Sequence, residues 1–354
     1  MAQLDRLLTY LKENDGSDLH LASGLEPRIR ARGKIRVIEG EGTLSDDGLR
    51  GLMEELASER QWNEFVSSND LDFAYGLEGV ARFRANYFVQ DNGAAAVFRI
   101  IPEEIIGLEQ LNLPECIGEL ADLESGLVLV TGPTGSGKST TLAAIIDRMN
   151  KTHCRHVVTI EDPVEFVHQN KQSVFSHREV GLHTQGFPPA LRSAIRQDAD
   201  VILVGEMRER ETIALAITAA EMGALVFATL HTNNAAKTID RIIDAFPAEE
   251  QNMIRMSLSE SLTAIVSQLL LPTADGKGRI ATTEILLKTP GLPNVIREGN
   301  TQMIYSIIQS GKGHGMQAMD DVLFQFVKDG KILAQDAYMK AADKSRFAPL
   351  LEDD

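Results

Sequence analysis

The chain has 354 residues, of which 43% are hydrophobic and 24% are charged, and its formal net charge is −16. That length favours two domains, and the composition is that of an ordinary globular protein. The acidic balance disfavours a surface that wraps a phosphate backbone, so we expect no nucleic-acid partner. No apolar run could cross a bilayer and the N-terminus lacks the apolar segment of a signal peptide, which predicts a cytoplasmic protein.

The first 101 residues predict a small α/β domain. Leucines at helical spacing from Leu4 to Leu11 predict an amphipathic helix, and another helical segment is expected after Ser45. Alternating or β-branched stretches predict strands, namely SDLHLA, PRIRARGKIRVIEG with a turn at Gly33 and Lys34, LDFAYGL, ARFRANYFVQ and AAAVFRIIP. Residues 102–123 contain prolines and several leucines, so we expect a linker that lies against the body of the protein.

From residue 124 to residue 354 short apolar runs alternate with helical segments. The runs LVLVT, HVVTIED, DVILVGE and LVFATLHT are unalternated, which is typical of a parallel sheet covered on both faces. We therefore predict a doubly wound α/β domain here. Apolar residues at helical spacing from Ile254 through Leu258, Leu262 and Ile265 to Leu269 predict one long amphipathic helix after the sheet.

A glycine-rich loop follows the first of these apolar runs. GPTGSGKST stands between a predicted strand and a predicted helix, which is the context of a phosphate loop. The glycines let successive N–H groups point inward, and the helix adds its positive end. We expect Lys138 to bridge the β- and γ-phosphates and the Ser139 hydroxyl to ligate Mg²⁺. The residues expected to contact the nucleotide are Gly132, Pro133, Thr134, Gly135, Ser136, Gly137, Lys138, Ser139 and Thr140.

ATP is the predicted nucleotide. A GTPase needs Asn-Lys-x-Asp to read guanine, and NKQS at residues 170–173 lacks the aspartate. The Leu-Ser-Gly-Gly-Gln signature of transporter ATPases is absent as well.

Polar residues end three further predicted strands. Glu161, Asp162 and Glu165 in TIEDPVEF are expected to hold Mg²⁺ through water, because the carboxyl ends of strands in such a sheet face the ligand crevice. His231 in TLHTNNA is expected to contact the γ-phosphate. Glu206 ends ADVILVGE, and we expect it to act on the attacking water, either as the base or as the group that orients it.

The residue before Glu206 affects this assignment. Many phosphate-loop enzymes place an aspartate there to hold Mg²⁺, and this chain has Gly205. The metal is then left to Ser139 and the TIEDPVEF carboxylates. Arg208 and Arg210 have the wrong sign of charge for the start of a helix, which makes them candidates for subunit contacts. His153 and His156 have no recognisable ligand set around them, so Mg²⁺ is the only metal expected.

The motifs, in this order along the chain, resemble those of the secretion ATPases, and most closely the PilT retraction ATPase family of type IV pili. They are GPTGSGKST, TIEDPVEF, REVGLHT, DVILVGEMRERETI and ATLHTNNAAKTIDRIIDAFP. GSDLHLA near the start, ARFRANYFVQ before the linker and GMQAMDDVL near the end extend the resemblance over nearly the whole chain.

The resemblance implies an ATP-hydrolysing motor that powers pilus retraction. It implies an N-terminal PAS-like domain, then a RecA-like ATPase domain with a C-terminal helical region, and a homohexameric ring of such subunits. The ring would act at the inner face of the cytoplasmic membrane, attached only through partners such as a pilus platform protein. Arg82 and Arg84 match the family's sensing arginines, Arg99 lies nearby in the sequence, and all three are expected to reach a nucleotide from a neighbouring face.

One segment departs from the retraction branch. Its members carry Ala-Ile-Arg-Asn-Leu-Ile-Arg-Glu, and this chain reads GLPNVIRE from Gly291 to Glu298. The alternatives are an accessory PilU-like paralogue, which would make a related retraction ATPase its partner, or a nucleotide-responsive scaffold that does no work. A RecA-like nucleic-acid motor is a third alternative, and the acidic charge argues against it.

Overall fold

The computed structural model describes residues 3–31, 33–101 and 104–351. These residues divide into two compact units. The first runs to Glu104 and includes Pro163–Val167, and the second comprises Ile105–Asp162 and the residues from His168 onward. Residues 102 and 103 of the predicted linker lie outside the described residues.

The first unit is an antiparallel sheet with helices on one face. Its six strands are ordered β3-β2-β1-β6-β5-β4. Leucines of the first two helices pack with aromatic residues of the strands in one core. Its helices are α1 (Gln3–Glu13), α2 (Asp46–Leu56) and α3 (Glu59–Ser68), and its strands are β1 (Gly16–Ala22), β2 (Arg28–Ala31), β3 (Lys34–Val37), β4 (Asp70–Leu77), β5 (Ala81–Gln90) and β6 (Gly93–Ile101).

The predicted elements of this unit are confirmed. The segment after Ser45 forms two helices, because Ser58 and Gln61 make a capping box that starts α3 anew. Ser45 caps α2 in turn, its side chain accepting from the Gly48 N–H. The turn between β2 and β3 contains Gly33 at a φ of 78°, a conformation that favours glycine.

The second unit is a seven-stranded sheet with helices on both faces. Its strands are ordered β13-β12-β7-β11-β10-β8-β9, and all neighbours are parallel except β12 and β13. Its strands are β7 (Gly126–Thr131), β8 (His156–Glu161), β9 (Val174–Glu179), β10 (Val201–Val204), β11 (Leu225–Leu230), β12 (Leu262–Pro272) and β13 (Arg279–Leu287). Its helices are α4 (Glu115–Glu119), α5 (Lys138–Thr152), α6 (Phe187–Ala194), α7 (Arg210–Glu221), α8 (Ala235–Asp244), α9 (Ala248–Ser261), α10 (Leu292–Arg297), α11 (Ile304–Ser310), α12 (Met319–Lys328) and α13 (Ala334–Lys340).

Two hydrophobic cores, one on each face of this sheet, confirm the doubly wound prediction. Alternate residues of β7 point to opposite faces, so Leu127 and Leu129 join one core and Val128 and Val130 join the other. Every residue of β7 and β11 is buried, which is why these runs are apolar without alternation. The described residues contain no helix that is both long and apolar enough to cross a membrane.

The long helix predicted from Ile254 to Leu269 is wrong. Helix α9 ends at Ser261, and the chain continues directly as β12. Strand β12 pairs with β7 on one side and with β13 on the other. A short apolar run fits a buried strand as well as a buried helix, and here pairing with two neighbouring strands decides the outcome. The predicted C-terminal helical region corresponds to α10–α13.

Candidate functional site

The glycine-rich loop joins the end of β7 to the start of α5. Gly132, Gly135 and Gly137 have φ values of 143°, 78° and 88°, which are positive and costly for any residue with a Cβ. Close neighbours also require glycine, because a Cβ on Gly132 would lie 2.2 Å from the carbonyl oxygen of Gln268. Gly137 is the N-cap of α5 and has no side chain to cap it. The first-turn N–H groups of α5 can therefore serve an anion.

Lys138 is held against this loop. Its Nζ donates to the carbonyl oxygens of Gly132 at 2.8 Å and of Pro133 at 3.1 Å, and only 8% of the residue is exposed. The Ser136 hydroxyl is buried and has no hydrogen-bond partner among the described residues. The loop thus holds a cation and a buried hydroxyl, which are groups that a phosphate can engage.

Glu206 and His231 meet where two neighbouring strands end. Strand β11 lies between β7 and β10 and is parallel to both, so the three strands end at the same edge of the sheet. Glu206 follows β10 and His231 follows β11, and His231 Nε2 lies 3.0 Å from Glu206 Oε1. The glycine-rich loop starts from the next strand, and the Gly132 N–H donates to the Leu230 carbonyl.

Arg208 is a second partner of Glu206, which the sequence analysis missed. Its Nε lies 2.6 Å from Glu206 Oε1. Partial burial raises the pKa of Glu206, but the Arg208 hydrogen bond and the nearby His231 more than offset this, and the pKa lies below its usual value. Glu206 is therefore ionised at neutral pH and can accept a hydrogen bond from water.

The TIEDPVEF carboxylates are divided between the two units. Glu161 ends β8 and is buried, and Asp162 is exposed. Glu165 is exposed and belongs to the first unit, whereas Ser139, Glu161 and Asp162 belong to the second. Among the described residues no three His, Cys, Asp or Glu side chains converge as direct ligands. The Mg²⁺ roles of these residues stay a prediction.

Gly205 packs against Glu161. The Gly205 N–H donates to the Ile160 carbonyl at 2.8 Å. A Cβ at position 205 would lie 3.3 Å from the Glu161 Cα and 3.4 Å from its Cγ. The backbone and side chain of Glu161 therefore leave little room for an aspartate at position 205.

The three predicted arginines share one face of the sheet in the first unit. Arg84 lies directly opposite Arg99, and Arg82 is two residues from Arg84 on the same strand. Arg99 Nε donates to Asp18 Oδ1 at 2.8 Å, and Arg84 Nε lies 3.7 Å from Asp72 Oδ1. The structure thus brings these arginines together, and their contact with a nucleotide stays a prediction.

Gln268 is a second residue that the sequence analysis missed. It lies in β12, in the segment predicted as helix, and its side chain contacts the phosphate loop. Local periodicity gives no indication of this contact, because Gln268 is 132 residues from its partner Ser136. Arg208 and Arg210, expected at subunit contacts, have partners within the chain: Arg210 binds Glu250.

Comparisons with known proteins agree with this geometry. The family model described as type II/IV secretion system protein matches residues 73–301. The type IV pilus retractation ATPase PilT of Pseudomonas aeruginosa is 48% identical over 97% of this chain and 99% of its own length. The type IV pilus ATPase PilU of the same organism is 40% identical over 96% of this chain and 88% of its own length. A crystal structure of the pilus retraction motor PilT with bound ADP superposes with a TM-score of 0.89 at 42% identity, covering 96% of this chain and 98% of that one.

Proposed function

The chain belongs to the type II/IV secretion system protein family, and on that premise we propose that it is an ATPase motor that powers retraction of a type IV pilus. The ATPase activity rests chiefly on the ionised Glu206, which His231 and Arg208 hold at the sheet edge where the phosphate loop starts. The role in retraction rests on the likeness to PilT, which is higher in identity and in coverage than the likeness to PilU.

The proposed reaction is in-line attack of water on the γ-phosphate of ATP. Lys138 moves its hydrogen bonds from the loop carbonyls to phosphate oxygens and neutralises the charge that develops there. Glu206 accepts a hydrogen bond from the attacking water, as its base or as the group that orients it. His231 holds the direction of the Glu206 carboxylate through its Nε2, and its ring is placed to contact the γ-phosphate.

The residues present fit a magnesium ion that arrives with ATP. Mg²⁺ prefers oxygen ligands and commonly takes one or two protein groups, several waters and the phosphates. Ser139 in the first turn of α5 would supply the hydroxyl, and Glu161 and Asp162 would hold its waters. When bound, the ion withdraws charge from the phosphate oxygens.

The working form of the proposed motor is a homohexameric ring. Arg82, Arg84 and Arg99 of one subunit would approach the nucleotide of its neighbour, and closure on ATP followed by reopening would deliver the work. The ring would act in the cytoplasm on an inner-membrane platform protein of the pilus. Because the GLPNVIRE segment differs from that of the retraction branch, the alternative is an accessory, PilU-like role or a scaffold without independent retraction activity.

The ATPase assignment is tested by steady-state turnover of purified protein. Glu206→Gln and Lys138→Ala should each lower kcat by roughly a hundredfold or more, because each removes a group that acts on the transition state. Glu209→Gln is the matched control, since this carboxylate is exposed at the start of α7. Variants at positions 206 and 138 that turn over ATP like the control would refute the assignment.

The role in retraction is tested by deleting the gene and scoring pilus retraction. We expect retraction to stop and to return with the wild-type gene, but not with the Lys138→Ala version. If retraction persists in the deletion strain, the chain does not power retraction by itself and has the accessory role.

A further inference from the structure

Strand β12 brings one buried glutamine against the phosphate loop. In the pairing of β12 with β7, Ser267 is level with Thr131, so Gln268 is level with the first glycine of the loop. The Gln268 Nε2 donates to the Ser136 carbonyl at 2.7 Å, and the Thr141 hydroxyl donates to Gln268 Oε1 at 2.8 Å. Only 3% of Gln268 and 1% of Thr141 are exposed. One side chain therefore joins the loop to the first turns of α5.

Chemistry fixes the orientation of this amide. The Ser136 carbonyl can only accept a hydrogen bond, so the NH₂ group of Gln268 must face it. Its Oε1 then faces Thr141, whose hydroxyl can donate. Both ends of the amide are satisfied inside the protein, and a flipped amide would lose the bond to the Ser136 carbonyl because it would turn an oxygen toward an oxygen.

Gln268 also accounts for two of the loop's glycines. A Cβ on Gly132 would lie 2.2 Å from its carbonyl oxygen, and a Cβ on Gly137 would lie 2.8 Å from its Nε2. The loop thus passes so close to Gln268 that neither position has room for a side chain.

The hydrogen bond to Ser136 has a consequence for the next N–H group. In a planar trans peptide the C=O and N–H point in opposite directions. Because the Ser136 carbonyl points at Gln268, the N–H of Gly137 must point away from β12. In a phosphate loop such N–H groups are the ones that bind phosphate.

We propose that Gln268 is a positioning residue of the phosphate loop, which sets the direction of the Ser136–Gly137 peptide and so presents the Gly137 N–H to a nucleotide phosphate. Gln268 acts through the backbone of the loop and does not itself touch the nucleotide. The proposal rests on the proposed function, because it requires that the loop bind a nucleotide.

The test compares Gln268→Met with Gln317→Met in the full-length protein. Methionine has a similar length and removes both hydrogen bonds of the amide. Gln317 is the matched control, since its Nε2 donates to the carbonyl and the hydroxyl of Thr283, the β13 partner of Gln268, and makes no bond to the loop. The measurements are the Kd for ADP with Mg²⁺, the kcat and KM for ATP, and the Tm without nucleotide.

Gln268→Met should weaken ADP binding by about tenfold or more and raise KM by a similar factor, because a misdirected donor and a lost buried bond both act on phosphate binding. The change in kcat should be smaller, because the contact between the loop and the phosphate is made equally in bound ATP and in the transition state. Gln317→Met should leave the Kd for ADP within about twofold of the wild-type value, even if its Tm falls as much as that of Gln268→Met. Equal shifts of Kd in the two variants would show that Gln268 only stabilises the fold, and would overturn the proposal.

Thr141→Val tests the same amide from its other end. It removes the hydroxyl that orients Oε1 and leaves the Ser136 bond, so we expect ADP binding to weaken by about threefold. If Gln268→Met does not fold, this variant decides: unchanged Kd overturns the proposal and weaker binding supports it. Wild-type protein that fails to bind ADP would overturn the proposed function and this proposal together, whereas wild-type binding matched by both variants would overturn this proposal alone.

Discussion

The pKa of Glu206 lies below its usual value because of two neighbours that come from different parts of the chain. Arg208 is two residues away, and His231 arrives from the adjacent strand β11. Partial burial would otherwise raise the pKa of this carboxyl. The motif around Glu206 therefore identifies the residue, and its partners lower its pKa.

We predict that Arg208→Ala shifts the acidic limb of the activity profile to higher pH. The Arg208 hydrogen bond lowers the pKa of Glu206 and burial raises it. Without Arg208 the effect of burial is offset less, so the pKa of Glu206 rises. Ionised Glu206 is then lost at a higher pH as the solution is acidified. The measurement is kcat/KM against pH.

Arg210→Ala is the control for that profile, because Arg210 pairs with Glu250 and has no contact with Glu206 that could change its pKa. An acidic limb that is the same in the Arg208→Ala variant and in this control would show that Arg208 does not tune Glu206.

Gly205 is a second residue whose identity depends on a neighbour. We predict that Gly205→Ala lowers the free energy of unfolding by about 1 kcal/mol, because the new Cβ would lie 3.3 Å from two backbone atoms, the Glu161 Cα and the Ile160 carbonyl oxygen, which cannot rotate away. Denaturant unfolding measures this. Gly291→Ala is the control, since a Cβ there meets open space at a φ of −83°. A Gly205→Ala variant as stable as this control would refute the steric explanation.

Among the elements, β12 shows where periodicity fails. Its apolar residues continue the helical spacing of α9, and nothing local marks the change at Leu262. The edges of β7 and β13 supply backbone partners for the whole length of β12, and a helix there would leave those edges unpaired. The same pairing places Gln268 at the phosphate loop.

The segment between β8 and β9 carries a buried histidine. The His168 ring stacks on Phe175 at 4.9 Å between centroids, with 5% of the residue exposed. Burial, and after it the nearby His177, lowers the pKa of His168 to about 4. The unfolded chain binds a proton near pH 6.5, so between these values the unfolded state holds more protons and stability falls as the pH falls.

We predict that acidification from pH 7 to about pH 5 costs the wild-type protein about 2 kcal/mol through His168. His168→Phe keeps the stacked ring and removes the titration, so its Tm should fall less over the same range, by a few degrees. His314→Gln, at an exposed position, should keep the wild-type slope. Identical slopes for wild type and His168→Phe would exclude His168 as the cause.

At the scale of the whole molecule, the arginines and the phosphate loop lie in different compact units of the chain. A ring that shares its sites between subunits predicts complementation in trans. Arg84→Ala and Lys138→Ala protein should each be inactive, and an equal mixture should recover about a quarter of wild-type turnover, because that share of sites combines an intact loop with an intact neighbour.

A mixture of Glu206→Gln with Lys138→Ala is the control for this experiment, because both changes fall in the same unit and cannot complement across a seam. If subunits are shown to exchange and neither mixture recovers ATP turnover, a site shared between subunits is contradicted. The net charge of −16 further predicts that DNA or RNA does not stimulate turnover at low salt.

The sequence by itself determined the features that depend on neighbours along the chain. The glycines of the phosphate loop, the apolar strands and the polar residues that end them are local patterns, and they were sufficient to predict the doubly wound sheet and to select Lys138, Glu206 and His231. Short-range backbone preferences and burial leave such patterns in any chain that folds this way.

Only the tertiary structure decided the features that depend on contacts far apart in sequence. The strand state of β12, the contact of Gln268 with a loop 132 residues away and the room at Gly205 all follow from strand pairing. Strand pairing depends on the free energy of the whole sheet, and each segment contributes only part of that free energy. The sequence of one segment therefore does not predict its pairing.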